Sequence, residues 1–259
     1  MSVAEQRETF EAIIDAQVLQ QTIDTLQAVV QEAIFTLDED GIRAAAVDPG
    51  NVAMTRVDLD AAAFESYWAD GGRIGVNLTR LDDIVSKANA DDIIHLELDE
   101  ETRKLNIRFR NVDVSMALID PDAIRKEPDL PNLDDKWHAD LHVEAAMLSE
   151  AVDIADLISD HVRFRSVADE GVLHVEAQGD TDDSDVTVEG DDLLPGSEIG
   201  EDCNSLLSLG YFTDLFKPVP NDAEVRLRHG TEHPVLFEYE FADGHGFAEG
   251  FQAPRVEAR

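Results

Sequence analysis

The sequence has little cysteine, little lysine and no long apolar run. Cys203 is the only cysteine among 259 residues, so no disulfide can form within the chain. No stretch approaches the roughly 18 apolar residues of a membrane-spanning helix, and the amino-terminal MSVAEQRETF lacks the apolar segment of a signal peptide. These absences predict a soluble, intracellular protein without a membrane partner. Lysine occurs only at Lys87, Lys104, Lys126, Lys136 and Lys217.

Acidic side chains dominate the residues that are present. Asp and Glu total 57 against 20 Lys and Arg, a formal net charge of -37, while 43% of the residues are hydrophobic. Enough apolar surface is therefore available for a packed core, and the acids are spread along the chain rather than massed in a tail. Such a surface suits molar salt, where the screening length falls to about 3 Å and self-repulsion largely disappears.

The chain reads as two copies of one pattern, separated by about 130 residues, the size of one domain. FTLDEDGIRAAAVD (residues 35–48) and FRSVADEGVLHVEAQ (residues 164–178) each alternate around an acidic turn with glycine, which predicts a β-hairpin. A helical pattern precedes each hairpin, and NLTRLDDIVSKANADDIIHLEL is echoed by SLLSLGYFTDLFKPVPNDAEVRLRH. A repeat of this length indicates two duplicated domains rather than a solenoid.

A proline-bearing segment, residues 119–136, separates the two copies. It shows neither helical periodicity nor strand alternation, and its prolines remove backbone donors, so we expect an extended linker. The sequence thus predicts a domain at residues 1–118, a connecting loop at 119–136 and a second domain at 137–259. Each domain should be α+β, with two amphipathic helices packed on eight or nine short strands.

No motif for catalysis or metal binding emerges from the sequence. His138 and His142 fall in a strand pattern, and His229 and His233 precede a proline. Neither pair has a third ligand at suitable spacing, so we interpret all four as surface histidines. The glycines of DGHGFAEG do not form a phosphate-binding turn between a strand and a helix, and Cys203 has no catalytic signature. We therefore expect no enzyme activity, no catalytic residue and no metal site.

Two kinds of surface predict contacts with other protein chains. Apolar residues lie within the acidic linker, in PDLPNL, and near the carboxyl terminus, in GFQAPRVEAR, which favours docking surfaces. The alternating segments 111–118 and 184–190 end the strand patterns of the two halves and are predicted edge strands. Open edges pair with other chains, and two different edges on one subunit predict a head-to-tail contact that can close as a ring.

Several segments together resemble one known family. GVNLTRLDDIVSKANADDIIHLEL, the ending HPVLFEYEFADGHGFAEGFQAPRVE, the linker and the twofold repeat resemble the proliferating cell nuclear antigen sliding clamps over essentially the whole chain. The acidic composition resembles that of a clamp from a salt-accumulating archaeon. The resemblance implies the α+β DNA clamp fold: a homotrimeric ring with helices lining the inner face and antiparallel sheets outside.

The resemblance also implies a function. Such a ring encircles duplex DNA in the cytoplasm, at the nucleoid, is opened by a clamp loader and has no catalytic activity. It tethers DNA polymerase, flap endonuclease and DNA ligase through a short peptide motif that enters a hydrophobic pocket. No cofactor is implied, although bound monovalent cations are left open. The alternative is an acidic protein-interaction module that does not encircle nucleic acid and forms a monomer or a compact dimer.

The resemblance assigns three groups of residues by position. The partner-peptide pocket would comprise Val47, Val52, Met54, Leu130, Pro131, Pro234, Phe251, Ala253 and Pro254. The subunit interface would comprise Asn111, Val112, Val114, Met116, Val186 and Val188. The DNA-facing side chains would be Arg80, Lys87, Lys217, Gln20, Gln21 and Gln27.

The expected DNA-facing surface departs from the family pattern. Where several lysines usually line the hole, this chain has Gln20, Gln21, Gln27, Asp83, Ser86 and Asp153. Each missing cation removes about one counterion from the salt dependence of DNA binding. We therefore hypothesise that topology, rather than electrostatic affinity, retains the ring on DNA, with hydrated cations screening the acids from phosphate. The alternative role for Lys87 is an ion pair with Asp83 on the same helix.

Overall fold

The computed structural model describes residues 10–126 and 137–255, so the predictions for Leu130 and Pro131, and for the rest of the linker after residue 126, lie outside the described residues. The described residues divide into two compact units. The first unit comprises residues 10–46, 56–126 and Phe241–Phe247, and the second comprises Val47–Thr55 with residues 137–240 and 248–255. Among the described helices, none combines the length and apolar character that spanning a bilayer requires.

The first half of the described chain contains nine strands and two helices. The strands are β1 (Phe10–Asp15), β2 (Glu32–Asp38), β3 (Gly41–Val47), β4 (Ala53–Asp60), β5 (Ser66–Ala69), β6 (Gly72–Asn77), β7 (Ile93–Asp99), β8 (Lys104–Phe109) and β9 (Val112–Ala117). The helices are α1 (Ala16–Gln27) and α2 (Leu78–Val85).

The second half likewise contains nine strands and two helices among its described residues. The strands are β10 (Ala139–Glu144), β11 (His161–Val167), β12 (Val172–Gln178), β13 (Asp183–Val188), β14 (Glu198–Ile199), β15 (Cys203–Ser208), β16 (Glu224–His229), β17 (Val235–Phe241) and β18 (Gly246–Gln252). The helices are α3 (Ala145–Asp156) and α4 (Leu209–Phe216). Both predicted hairpins are confirmed, as β2–β3 and β11–β12.

The strand order confirms the duplication. Strands of the first half follow the orders β5-β1-β7-β8-β9 and β6-β2-β3-β4, and those of the second follow β14-β10-β16-β17-β18 and β15-β11-β12-β13. Position by position the two halves correspond, so β9 is equivalent to β18 and β13 to β4. Within residues 10–126 and 137–255, β9 and β13 are edge strands with one neighbour each, whereas β18 and β4 have a neighbour on both sides.

Each helix buries one apolar side, as its periodicity predicts. α1 buries Leu19, Ile23 and Leu26, and α3 the equivalent Leu148 and Val152. Asn77 begins α2 because its side-chain oxygen accepts a hydrogen bond from the Arg80 backbone N–H at 2.8 Å. The helices therefore present their polar sides away from the core.

The aromatic core of the second unit fixes α4 against its sheets. The Phe212 and Phe216 rings stack at 5.5 Å, and both meet Phe237 edge-on, at 5.9 and 5.2 Å. Phe164 lies 5.1 Å from Phe212 on the strand side. Such aromatic contacts add roughly 0.5–1.5 kcal/mol each beyond the area that they bury, so they stabilise the packing of α4 against β11 and β17.

The predicted extended linker is wrong for its first residues. The Ile119 backbone N–H donates to the Gly75 carbonyl at 2.8 Å, and Pro121–Ala123 forms a 3-10 turn. Ile124 is buried against Gly75, where a Cβ would meet the Ile124 side chain at 2.8 Å. Proline starts a short helical turn as readily as it prevents a long one, so residues 119–126 belong to the fold of the first unit. The boundaries assigned to the two domains from the sequence stay a prediction.

Candidate partner and nucleic-acid interfaces

A buried carboxylate organises the loop in which the expected partner pocket begins. Asp48 is 4% exposed, and its Oδ1 accepts the backbone N–H groups of Val52 (2.6 Å) and Ala53 (2.7 Å) while its Oδ2 accepts that of Gly50 (2.8 Å). Asn51 adopts a positive φ of 55°, which the loop needs to turn back. Three charge-assisted bonds therefore hold this loop in one conformation.

The expected pocket residues among the described residues belong to the second unit, and two of their segments meet at this loop. Val47 and Met54 are buried, whereas Val52 and Pro234 are half-buried. The Ala253 backbone N–H donates to the Val52 carbonyl at 2.8 Å, which joins the carboxyl-terminal segment to the loop. The remaining members with partial exposure are Phe251, Ala253 and Pro254. The structure thus brings the loop and the carboxyl-terminal segment together, while the linker members Leu130 and Pro131 lie outside the described residues.

Asp48 and Gln252 support this surface, and the sequence-based assignment missed both. Gln252 is 1% exposed, and its Nε2 donates to the Ser208 carbonyl at 2.8 Å, so it anchors the segment that carries Phe251 and Ala253. A signal for Asp48 was available, because Asp before Pro-Gly is typical of a turn in which the carboxylate binds the next backbone amides. Gln252 offered no comparable local signal.

The predicted interface strands are unpaired edges. β9 is bonded only to β8 and β13 only to β12 within the described residues. Val112, Val114 and Val186 are half-buried, Asn111 is exposed, and Met116 and Val188 are buried. The last two therefore anchor their strands to the core. The outer edge of each strand has no ladder partner among the described residues, and such an edge can pair with another chain.

Gln20 links the two helices of the first unit. Its Nε2 donates to Asp24 Oδ1 on α1 at 2.8 Å and to Asp82 Oδ1 on α2 at 2.6 Å. One neutral amide thus holds two carboxylates that would otherwise repel each other. Gln20, Gln21 and Gln27 are all half-buried, so this side of α1 presents amides and acids rather than cations.

The three expected DNA-facing cations are exposed, but not all of them lie on helices. Arg80 lies on α2, whereas Lys87 follows the end of that helix and Lys217 caps α4. The guanidinium of Arg110 bonds the Lys87 carbonyl and pairs with Asp92 at 3.0 Å, which fixes the turn after α2. The alternative ion pair between Lys87 and Asp83 is wrong, because no such pair joins these described residues. The prediction that these cations meet DNA stays open.

The interpretation of His229 as a surface histidine is wrong. His229 is 0% exposed at the end of β16; its Nε2 lies 2.8 Å from Ser166 Oγ, and its Nδ1 lies 3.7 Å from Cys203 Sγ. Burial, assisted by the nearby His138, lowers the pKa of His229 to about 4. Burial likewise raises the pKa of Cys203 to about 11. Both groups are therefore neutral near pH 7, and this contact is not a thiolate–imidazolium pair of the catalytic kind.

One cluster of possible metal ligands occurs among the described residues. Oxygen or nitrogen atoms of His174, Glu176 and Asp185 lie within 4.8 Å of one another, because β12 and β13 pair Glu176 directly with Asp185. Two carboxylates opposite each other on paired strands repel and so destabilise a sheet. Neighbouring basic side chains offset this repulsion. Arg165 binds Glu176 Oε1 at 2.6 and 2.9 Å, and His174 Nδ1 lies 2.9 Å from Asp185. These atoms are committed to one another, so the cluster is explained without a metal.

Comparisons with known proteins agree with this architecture. A family model of the proliferating cell nuclear antigen N-terminal domain matches residues 9–122. The DNA polymerase sliding clamp of Haloarcula marismortui is 45% identical over 252 residues, which cover 96% of this chain and 99% of the relative. The clamp of Natronomonas pharaonis is 44% identical with the same coverage.

A solved structure matches the fold closely as well. The structure of A. fulgidus PCNA bound to the C-terminal region of FEN-1 superposes with a TM-score of 0.88 at 32% identity, covering 96% of this chain and 100% of the other. The duplicated α+β halves thus define the clamp fold. The chain belongs to the proliferating cell nuclear antigen family of DNA polymerase sliding clamps.

Proposed function

We propose that three copies of this chain form a ring around duplex DNA and tether replication and repair proteins to it, without catalysis of their own. The proposal locates the protein in the cytoplasm, at the nucleoid. The partners are DNA polymerase, a clamp loader, flap endonuclease and DNA ligase that carry the clamp-binding peptide motif. The alternative, an acidic module that does not encircle nucleic acid, is not favoured, because sliding clamps match nearly the whole chain.

The observation that carries the ring is the pair of unmatched edges. In the part of the chain that the structure describes, β9 and β13 each have one neighbour, whereas their equivalents β18 and β4 have two. Pairing β9 of one copy with β13 of the next gives each strand the second neighbour that its equivalent already has. The two edges differ, so the contact is head-to-tail and repeats until the assembly closes.

The partner peptide would dock on the surface of the second unit built by Asp48 and the carboxyl-terminal segment. The half-buried side chains of Val52, Pro234 and Phe251 offer apolar area that a motif with aliphatic and aromatic residues can cover. The loop is already ordered by the bonds to Asp48, so little conformational entropy is lost on binding.

Retention on DNA would be topological. The polar helix sides carry Gln20, Asp24 and Asp82, and Gln20 bonds both acids instead of a phosphate. Few cations remain to release counterions, so affinity for phosphate contributes little in molar salt. Hydrated monovalent cations between these acids and DNA would offset the remaining repulsion.

The experiment compares closed and linear DNA. The protein is loaded on closed circular DNA with its clamp loader and passed over a sizing column in molar potassium chloride. We expect it to stay with the circle and to be released once a restriction enzyme opens the circle. Equal loss from closed and linear DNA would contradict topological retention, and a variant that does not assemble supplies the unretained control.

A further inference from the structure

In the ring proposed above, on which this inference rests, the duplication also defines the register between neighbouring copies. β18 and β4 are neighbours within one chain and are the equivalents of β9 and β13. A subunit contact that repeats the β18–β4 pairing therefore sets specific residues of the two copies opposite each other. Matching each strand with its equivalent, residue by residue, identifies them.

Rows of opposed residues match β9 with β18. In the first half, the row across the sheet is Ala12, Leu96, Ile107 and Val114. In the second half, the corresponding row is Leu141, Leu227, Phe237 and Gly250. Both rows begin four residues before a helix, which starts at Ala16 or at Ala145. Val114 of β9 and Gly250 of β18 therefore occupy equivalent positions.

Two contacts identify Gly250 as the last member of its row. A Cβ at Gly250 would meet the Phe237 ring at 2.2 Å, as expected for opposed residues on one face of the sheet. The His245 backbone N–H donates to the Ala242 carbonyl at 3.0 Å, which closes the β17–β18 hairpin in the same register.

A second pair of rows matches β4 with β13. The row of the first half is Phe35, Ala44 and Val57, and that of the second half is Phe164, Val175 and Val186. The phenylalanine of each row is the fourth residue of its strand. The Ala61 backbone N–H donates to the Asp40 carbonyl at 2.7 Å, which sets the last pair of the first row. Two residues before the valines, Thr55 of β4 is thus equivalent to Ser184 of β13.

Two backbone hydrogen bonds give the register of β18 with β4. The Ala253 N–H donates to the Val52 carbonyl at 2.8 Å, and the Asp60 N–H donates to the His245 carbonyl at 2.9 Å. Both bonds fit one antiparallel register without a bulge. The register can therefore be transferred to the equivalent strands.

The transferred register sets Val114 of one copy opposite Ser184 of the next, because Gly250 lies opposite Thr55 within the chain. Val114 and Ser184 are both half-buried, on the core-facing side of their strands. A slip by one residue would turn the core-facing side of one strand toward the solvent-facing side of the other. The alternation of both strands thus agrees with the register.

This register brings two acids together at each subunit contact. One residue along from that pair, Asp113 of one copy lies directly opposite Asp185 of the next. Both residues are exposed, and opposed residues of paired strands have Cβ atoms about 4.5–5.5 Å apart. The equivalent positions of β18 and β4 hold Glu249 and Arg56, which have charges of opposite sign. The contact between copies therefore opposes like charges where the chain itself has an acid and a base.

On the β9 side, the opposed base also serves another acid. Arg108 lies opposite Asp113 across the β8–β9 ladder. Its guanidinium bonds Glu97 of β7, so one arginine serves two carboxylates before the next copy adds a third.

On the β13 side, a further acid adds to the negative charge. Glu176 of β12 lies opposite Asp185, and Arg165 and His174 bond one of these two carboxylates each. We propose that the pair of Asp113 and Asp185 makes the subunit contact the salt-dependent joint of the ring. Repulsion between the two carboxylates loosens the contact at low salt, and screening in molar salt lets it close.

The first experiment tests the register by disulfide formation. Val114→Cys and Ser184→Cys in one chain place two thiols at a pair without ladder hydrogen bonds, where Cα atoms lie about 4.5 Å apart, within disulfide reach. Mild oxidation in molar salt should link the subunits, as seen on a denaturing gel without reductant. The control, Val114→Cys with Thr187→Cys, lies three residues out of register and should stay unlinked. The buried Cys203 can remain in both.

Light scattering of the same samples separates the register from the ring. A trimer that gives no cross-link, or a control that is linked equally, overturns the register and leaves the ring intact. Monomers in molar salt would overturn the proposed ring, and this inference with it.

The second experiment measures the coupling between the two acids. Asp113→Asn and Asp185→Asn are made singly and together. Subunit dissociation is measured by sedimentation at the lowest potassium chloride concentration that keeps the chain folded by circular dichroism. Either single change removes the repulsion, so each should lower the dissociation constant about two- to fivefold, and the double variant should gain little more. These differences should shrink in molar salt.

Asp183→Asn is the matched control. It removes the same charge from the same strand, but Asp183 lies opposite Ser115 in this register, so its effect should add to that of Asp113→Asn. Simple addition of the effects of Asp113→Asn and Asp185→Asn, or weaker association of either single variant, overturns the proposal.

Discussion

Acidification should destabilise this protein through His229. The neutral ring is favoured in the folded state, where its pKa is about 4, while the unfolded chain has the ordinary histidine pKa of about 6.5. The unfolded state therefore binds the extra proton as the pH falls below 6.5, and stability is lost between 6.5 and 4. Two and a half pKa units correspond to about 3 kcal/mol in full, of which about 2 kcal/mol is already lost at pH 5.

The structure explains why His229 stays neutral. Ser166 on β11 and Cys203 on β15 face the ring, the Phe164 ring lies 6.5 Å away, and His138 contributes repulsion toward a second positive charge. No carboxylate is in hydrogen-bond contact with His229 among the described residues. A protonated ring would therefore be a buried, unpaired charge.

Urea unfolding at pH 8 and pH 5, in the same molar salt, measures the effect. Carboxylates also titrate in this range, so the quantity of interest is the difference between the original chain and His229→Gln. The variant should be less stable at pH 8 but should lose about 2 kcal/mol less on acidification. His245→Gln, at an exposed histidine, should behave like the original chain. An identical pH dependence of the original chain and His229→Gln would refute the reasoning.

Two further changes address the interfaces. Asp48→Ala leaves three backbone N–H groups without their acceptor, so it should destabilise the second unit by about 3 kcal/mol in urea unfolding. The control, Asp120→Ala, removes one exposed hydrogen bond and should cost under about 1 kcal/mol. Equal losses of stability in the two variants would contradict the role of Asp48. Val114→Pro deforms the edge strand β9 and should give monomers in light scattering, whereas Val114→Thr keeps the backbone donor and should assemble. A trimer of unchanged stability with proline would place the subunit contact elsewhere.

Local sequence signals were sufficient for most of the fold. The hairpins follow from turns that need glycine, since Gly41 and Gly171 have φ values of 146° and 67°. The helices follow from their apolar periodicity, and the edge strands β9 and β13 from the alternation of their residues. His229 could also have been found, because it continues the buried alternation of Val225 and Leu227 along β16. The sequence-based interpretation did not register that His229 lies on the same, buried face of β16 as Val225 and Leu227.

The features that the sequence did not reveal depend on contacts between distant segments. The compensated pair of Glu176 and Asp185 requires the exact register of β12 and β13. Gln20 reaches Asp82 only because α1 and α2 pack together. No window of sequence holds these residues together, so periodicity and motif spacing cannot place them.

Recognition by this protein should therefore depend on contact geometry rather than on long-range attraction. At a screening length of about 3 Å, a net charge of -37 neither steers nor repels a partner beyond the first layer of water. Interactions at contact distance survive, such as backbone pairing along β9 and β13 and apolar contacts over Phe251. Lowering the salt should then oppose subunit assembly, because repulsion between acidic surfaces returns while these short-range contacts remain unchanged. Light scattering across a salt series measures this directly, and a trimer that tightens as salt is removed would show that attraction between charges holds the subunits together.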